Sequence, residues 1–413
     1  MLQPYHPTMR WIAEQQQEMI DLLIQWAHIN TGSENMAGLD HMINALTQAF
    51  GCFNTEIQWI DLPLRQIVDP SGTIVSSPIG KAMRLRKHTQ APLQVLLTGY
   101  MDTVYVVDNS FQATHWIDPH TLRGPGVADM KGGLVVMLTA LKALEKSPWA
   151  GKIGWEVLIN PDEEIGSPGS AFLFHEAAQR NALGLVFEPA FPDGSFVSSR
   201  KGSLSYTIIS HGRSAHVGRD FQQGRNALTH LARLVLEVEK LSNEERGITV
   251  NIGCLISKGP VNIVPHLAVA KINVRLNTRE DIAPIDQAIQ TIVQEANQHE
   301  GHSLTLLADA LTPPKPFDSK IQTVFQAVKQ SADALGIDMR WKPTGGACDS
   351  CRLYADGLPN IDTLGVVGGN LHTPEEFIIV DSLRERAQLT ALFLMQWAAG
   401  EIQPIQRGDQ VHA

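Results

Sequence analysis

The run Gln94-Val95-Leu96-Leu97-Thr98-Gly99-Tyr100-Met101-Asp102-Thr103-Val104 sets the reading of the whole chain. Its apolar stretch predicts a buried strand over 93–98 that Gly99 ends. Polar groups, Tyr100 and Asp102, follow at once. The pattern recurs. Asp129 lies in the glycine-rich Gly126-Val127-Ala128-Asp129-Met130-Lys131-Gly132-Gly133, and Glu163-Glu164 follow a strand expected over 155–160. Glu188 closes Val186-Phe187-Glu188-Pro189, and His372 sits in Gly369-Asn370-Leu371-His372-Thr373-Pro374. Open α/β sheets bind ligands beyond the carboxyl ends of their strands. A carboxylate in such a place is costly unless something pairs with it, so these residues read as one site.

Helices and strands alternate around that first strand. Met9, Ile12, Met19, Ile20, Leu23 and Trp26 recur at helical spacing and predict a helix over 9–29, with a second over 38–50. Then come helix 131–145, strand 155–160, helix 169–180 and strand 184–188, an order that predicts an α/β sheet with covered faces. From Lys201 the rhythm changes to strand 203–210, helix 224–241, strands 248–257 and 267–276, helix 282–299 and strand 303–308. That β-α-β-β-α-β order is ferredoxin-like. The proline-rich Leu311–Pro316 reads as the return connection. Residues 318–400 resume the α/β alternation and are expected to complete the first sheet. Pro404–Ala413 reads as a loose tail.

At 413 residues the chain is long enough for two or three domains. Its 43% hydrophobic and 18% charged content is that of a soluble globular protein with a sizeable core. A net charge of −10 and the absence of any basic run argue against nucleic acid or an anionic membrane as partner. Leu134–Leu138 is too short to span a bilayer, and the N-terminus lacks the signature of a secretion signal, so the expected location is cytoplasmic. Four cysteines make no disulfide framework. Cys52 and Cys254 read as small core residues, and Cys348-Asp349-Ser350-Cys351 as a structural C-x-x-C.

Seven markers occur in one order: Thr31-Gly-Ser-Glu-Asn35, Met101-Asp-Thr-Val104, Gly124-Pro-Gly-Val-Ala-Asp-Met-Lys-Gly-Gly133, Asp162-Glu-Glu-Ile-Gly-Ser167, Phe187-Glu-Pro189, Gly212-Arg-Ser-Ala-His-Val-Gly218 and Asn262-Ile-Val-Pro265. From about Trp26 to about Trp397 the chain resembles the M20 family of zinc-dependent metallopeptidases and deacylases, closest to its glutamate carboxypeptidase branch. The resemblance implies a zinc-peptidase-like catalytic domain, a mixed sheet flanked by helices, made from residues 1–200 and 312–413. Residues 201–311 would be an inserted lid that also forms a homodimer.

The resemblance also assigns roles. Asp129 would bridge two zinc ions, with cobalt or manganese as alternatives. Glu164 and His372 would complete one site, and Glu188 with residue 100 the other. Position 100 is a histidine in the family, oriented by the counterpart of Asp102. Here it is Tyr100, a neutral phenol with a pKa near ~10 and a poor zinc ligand. Three outcomes stay open: one ion only, weak ligation by Tyr100, or a substitute from His115, His120 or Cys348. Glu163 would be the general base. His216 would stabilise the oxyanion in the partner subunit's site. Asn262 and Arg275 would hold the substrate's carboxylate. The implied substrate is a small peptide or N-acyl amino acid cleaved at an amide beside a free carboxylate. A deacetylase or desuccinylase is the alternative within the family. A non-catalytic ligand-binding homologue is the alternative that Tyr100 raises.

Overall fold

The computed structural model describes residues 2–69, 71–403 and 405. Its centre is the strand Leu93–Tyr100, buried from Val95 onward. It pairs in parallel with Ile153–Asn160 on one side and Leu183–Val186 on the other. The full sheet runs 57–60, 82–87, 153–160, 93–100, 183–186, 360–361, and its first two strands are antiparallel additions. Side chains alternate across a strand, so this one feeds two cores. Val95 and Leu97 join the layer containing helices Gln16–Ala27, Gly132–Glu145 and Asp381–Ala398. Leu96 joins the opposite layer, under helices Ala171–Arg180 and Asp349–Ala355.

The strand does not stop at Gly99. It continues to Tyr100, which lies opposite Asn160. A Cβ at Gly99 would come within 2.5 Å of the Met130 methyl and 2.9 Å of Leu134. The glycine is there to let the Asp129 loop press against the strand, not to end it. The expected helix over 9–29 is two helices, His6–Glu14 and Gln16–Ala27, because the Gln15 amide turns back to the Ile12 carbonyl. Residues 318–400 complete the first sheet only through Asn360–Ile361. Trp341–Thr344 instead pairs with Phe196–Arg200. Gly368–Gly369 and Phe377–Ile379 join the hairpin His115–Asp118/Thr121–Arg123 in a separate four-stranded sheet.

Strands Gly202–His211, Thr249–Ile256, Leu267–Leu276 and Ser303–Thr312 form a second antiparallel sheet, ordered 249–256, 267–276, 202–211, 303–312. Helices Ala227–Glu239 and Ile282–Ala296 supply its separate apolar cluster. The order is the ferredoxin-like one. Where the chain leaves and re-enters the first layer, Arg200 and Lys315 exchange backbone hydrogen bonds of 2.9 and 3.0 Å.

The core positions expected for Cys52 and Cys254 are not found. Cys52 is exposed and Cys254 half-buried, while Cys348 and Cys351 are buried thiols. Cys52 lies in the turn Gly51–Phe53, and Phe53 takes the core position beside it. The tail expected over 404–413 lies outside the described residues apart from Ile405, which is buried. Among the described residues no helix is long and apolar enough to cross a membrane.

Candidate metal centre

Three strand ends and two loops deliver the acidic residues to one place. Asp129 follows Gly126, whose left-handed φ of 69° starts the turn into helix Gly132–Glu145. Glu163 and Glu164 form a short turn after strand 153–160. His372 sits between the two short strands of the separate sheet, itself at φ 61°. The His372 Nε2 lies 3.2 Å from Asp129 Oδ2 and 3.3 Å from Glu164 Oε2. Among the described residues these three form the one group able to hold a metal ion, with ligand atoms all within 4.8 Å of one another.

The electrostatics ask for a cation. Burial first, then Asp129, pushes the Glu164 carboxyl well up. Burial, then Glu188 and Asp349, does the same to Glu163. Hydrogen bonds to Asp129 and Glu164 raise His372 to about 10. Glu163, Glu164 and His372 all shift toward binding a proton, which is how a crowded anionic pocket behaves without another positive charge. Among the described residues the buried Glu164 Oε1 has no hydrogen-bond partner. Two carboxylates and an imidazole, with an orphaned carboxylate oxygen among them, fit one divalent ion such as zinc.

Among the described residues Asp102 makes no hydrogen bond to the Tyr100 side chain. Its Oδ1 accepts the Glu163 amide at 3.2 Å and its Oδ2 the Glu164 amide at 3.1 Å, and Ser33 donates to Oδ2 at 2.8 Å. Burial, then neighbouring Asp162, lifts its carboxyl to about 8. It therefore positions the turn that carries both glutamates. Tyr100 is 4% exposed and points into the site. Its hydroxyl donates to Asp129 Oδ1 in a short contact and reaches Glu188 Oε2 at 3.1 Å. Burial lifts Glu188 to about 8, although Arg200 opposes the shift.

The other expected residues do not join this group, although Cys348 lies within range of the Glu188 charge. His115 is exposed on the hairpin, and exposed His120 faces Asp381 at 3.4 Å, so neither reaches the centre. Cys348 is buried, its thiol pushed well up by burial, against the opposing charge of Arg200. Arg275 is half-buried on the second sheet, with Nε on Asn273 at 2.9 Å, and it senses the charge of Glu163. Exposed His216 and Asn262 lie on neighbouring loops, joined by the Val217 amide to the Asn262 carbonyl at 3.0 Å. Within this chain His216 Nδ1 accepts only the Gly218 amide, at 3.1 Å.

Several supporting residues escaped the sequence reading. Glu376 accepts the amides of Gly126, Ala128 and Asp129 at 3.1, 2.8 and 3.0 Å, and the Tyr105 hydroxyl at 2.7 Å. It thus pins the Asp129 loop. Its one signal was its place in Pro374-Glu375-Glu376, just after His372. Arg200 and Lys315 converge on fully buried Asp362, each at 3.0 Å. No local pattern marks that cluster.

Such a centre, with one further unclaimed acid beside it, is the equipment of a metal-dependent hydrolase. The chain belongs to peptidase family M20/M25/M40, whose profile matches residues 96–396. It is 28% identical to carboxypeptidase G2 of Pseudomonas sp. (strain RS-16) over 74% of each chain. It is 29% identical to a succinyl-diaminopimelate desuccinylase of Rhodospirillum rubrum, over 65% of this chain and 73% of that one. The fold matches an M20 metallo-carboxypeptidase from Sulfolobus solfataricus with a TM-score of 0.72 at 20% identity, covering 92% and 99% of the two chains. These relatives make the chain a hydrolase, and amide hydrolysis its reaction class.

Proposed function

We propose that this chain is a zinc-dependent amidohydrolase that cleaves an amide next to a free carboxylate, in a small peptide with a terminal acidic residue or in an N-acyl amino acid. The observation that carries it is the Asp129–Glu164–His372 group, with ligand atoms within 4.8 Å of one another and the second Glu164 oxygen, Oε1, buried without a partner among the described residues, beside Glu163. A divalent ion held by Asp129, Glu164 and His372 would polarise the amide carbonyl and make water easier to deprotonate. Glu163 takes the proton from the attacking water and returns it to the leaving amine, and its raised proton affinity suits both halves of that task. Arg275, on the sheet that faces Glu163, is suited to the substrate's carboxylate, with Asn262 beside it.

In this reading residues 201–311 act as a lid, and two chains associate through it. His216 is exposed and, among the described residues, bonded through its ring only to the Gly218 amide, which favours its acting on the other copy's oxyanion. The amide-hydrolase relatives favour this reading over a non-catalytic binding protein.

The test is a panel of N-acyl amino acids and acidic dipeptides, assayed with zinc, cobalt and manganese, for the wild type and Glu163→Gln. Glu163→Gln should keep its metal and lose ~10²–10⁴-fold in rate. Wild-type turnover on no member of the panel, or near-normal turnover in the variant, would refute the assignment.

A further inference from the structure

The second cation position that the family resemblance implies does not fit the residues present. A phenol oxygen reaches about 2 Å further from the backbone than the far nitrogen of an imidazole, which is about the length of a zinc–nitrogen bond. A tyrosine here therefore does not end where a ligand should; its oxygen ends where the ion should. The structure bears this out in detail. The Tyr100 hydroxyl stands between Asp129 Oδ1 and Glu188 Oε2, the two carboxylates that would flank a cation. Asp129 divides its two oxygens accordingly. Its Oδ2 faces His372, and its Oδ1 is taken by the phenol.

Part of the positive charge that a second ion would bring is already present. The Arg200 side chain is 8% exposed and makes two contacts with Asp362, at 3.0 and 3.3 Å, through its Nε and Nη2. It lies close enough to Glu188 for each to feel the other's charge. Asp362 does not depend on Arg200 alone, because the buried ammonium of Lys315 also reaches it at 3.0 Å. The Glu188 end of the site thus holds a hydroxyl donor and a nearby guanidinium. Neither moves easily, since Tyr100 lies at the end of a central strand and Arg200 runs beside Lys315.

We propose that this hydrolase carries a single catalytic cation, at Asp129, Glu164 and His372, and that the Tyr100 hydroxyl together with Arg200 permanently takes the place of a second one. Tyr100 is then a positioning residue. It fixes Asp129 so that only Oδ2 remains for the ion, and it holds Glu188 as a structural acid. The inference rests on the metal-hydrolase reading above.

The experiment counts bound zinc per chain by native mass spectrometry and elemental analysis, for the wild type, His372→Ala, Tyr100→His and Tyr100→Phe. The wild type should hold one ion, which His372→Ala loses. Tyr100→His should take up a second, at least ~10-fold more tightly than any second ion in the wild type. Tyr100→Phe keeps the ring without the hydroxyl and should stay at one, which separates loss of the oxygen from gain of a ligand. Ultraviolet difference spectra on adding zinc should show no tyrosinate band. Two ions of similar affinity in the wild type, a tyrosinate band, or a Tyr100→His protein that stays at one ion would each overturn the inference while leaving the hydrolase reading intact. A wild type that binds no ion would overturn both.

Discussion

Asp362→Asn offers a quantitative test of how the site is built. The wild-type carboxyl is completely buried, with Arg200 and Lys315 each 3.0 Å away and the Ser350 hydroxyl donating at 2.8 Å. Burial alone would raise its pKa, but Arg200 and then Lys315 more than offset it and hold the group down at about 2. That is roughly two pH units below an ordinary aspartate, or ~2.5 kcal/mol of stability. The amide also leaves two buried cations facing a neutral group, and breaking a buried pair in this way costs ~3–5 kcal/mol. The expected loss at pH 7 is therefore about 3 kcal/mol. Urea titrations of the wild type and Asp362→Asn, at equal metal content and followed by tryptophan fluorescence, read it directly. A carboxyl with a depressed folded pKa stabilises fully above its unfolded value near ~4 and loses that contribution as the pH falls toward 2. The gap between the two proteins should therefore be constant from pH 7 to 5 and narrow below pH 4. A loss under about 1 kcal/mol at pH 7, or a gap that widens in acid, would refute the electrostatic account.

Asp102→Ala should leave the Glu163 and Glu164 amides without their acceptor and weaken zinc affinity by ~10–100-fold, measured by competition with a chromogenic chelator. His216→Ala should lower turnover by ~10²-fold or more while leaving zinc content unchanged. Sedimentation should show a dimer, and mixing inactive His216→Ala with inactive Glu163→Gln should recover roughly a quarter of wild-type activity, because half of randomly re-paired dimers would hold one intact site. No recovery on subunit exchange would confine His216 to its own chain.

The parts of the fold that were legible in the sequence are those with strong periodicity. Leu93–Tyr100, Gly132–Glu145 and the four strands of the second sheet each announce themselves by uninterrupted or alternating apolar residues. Strands 57–60, 65–68 and 74–77 are short, and none of their residues is fully buried, so they left no such trace. The ligand candidates were legible because each follows a strand or opens a glycine-rich turn. What surrounds them was not. Glu376 looks like a solvated charge in a polar turn, and only the folded chain shows its carboxylate threaded among the amides of Gly126, Ala128 and Asp129. Arg200 and Asp362 are 162 residues apart, and nothing local to either foretells a buried pair. Asp102 was legible only as the counterpart of a residue that orients a histidine this chain lacks; that its oxygens hold the glutamate turn and Ser33 shows only in the folded chain.

The Glu376 clasp also has a consequence for how the protein is made. The Asp129 amide and the carboxylate that secures it are separated by 247 residues. At a translation rate of ~5–20 residues per second, ~12–50 s pass between the synthesis of the two. During that interval the Asp129 loop has no carboxylate to gather its amides, and His372 has yet to emerge. The unfinished chain cannot close a complete ligand set around whatever ion is abundant nearby. Metal selection is thereby deferred to the nearly finished protein, where the geometry of the assembled pocket, not the order of encounter with ions at the ribosome, decides what is bound.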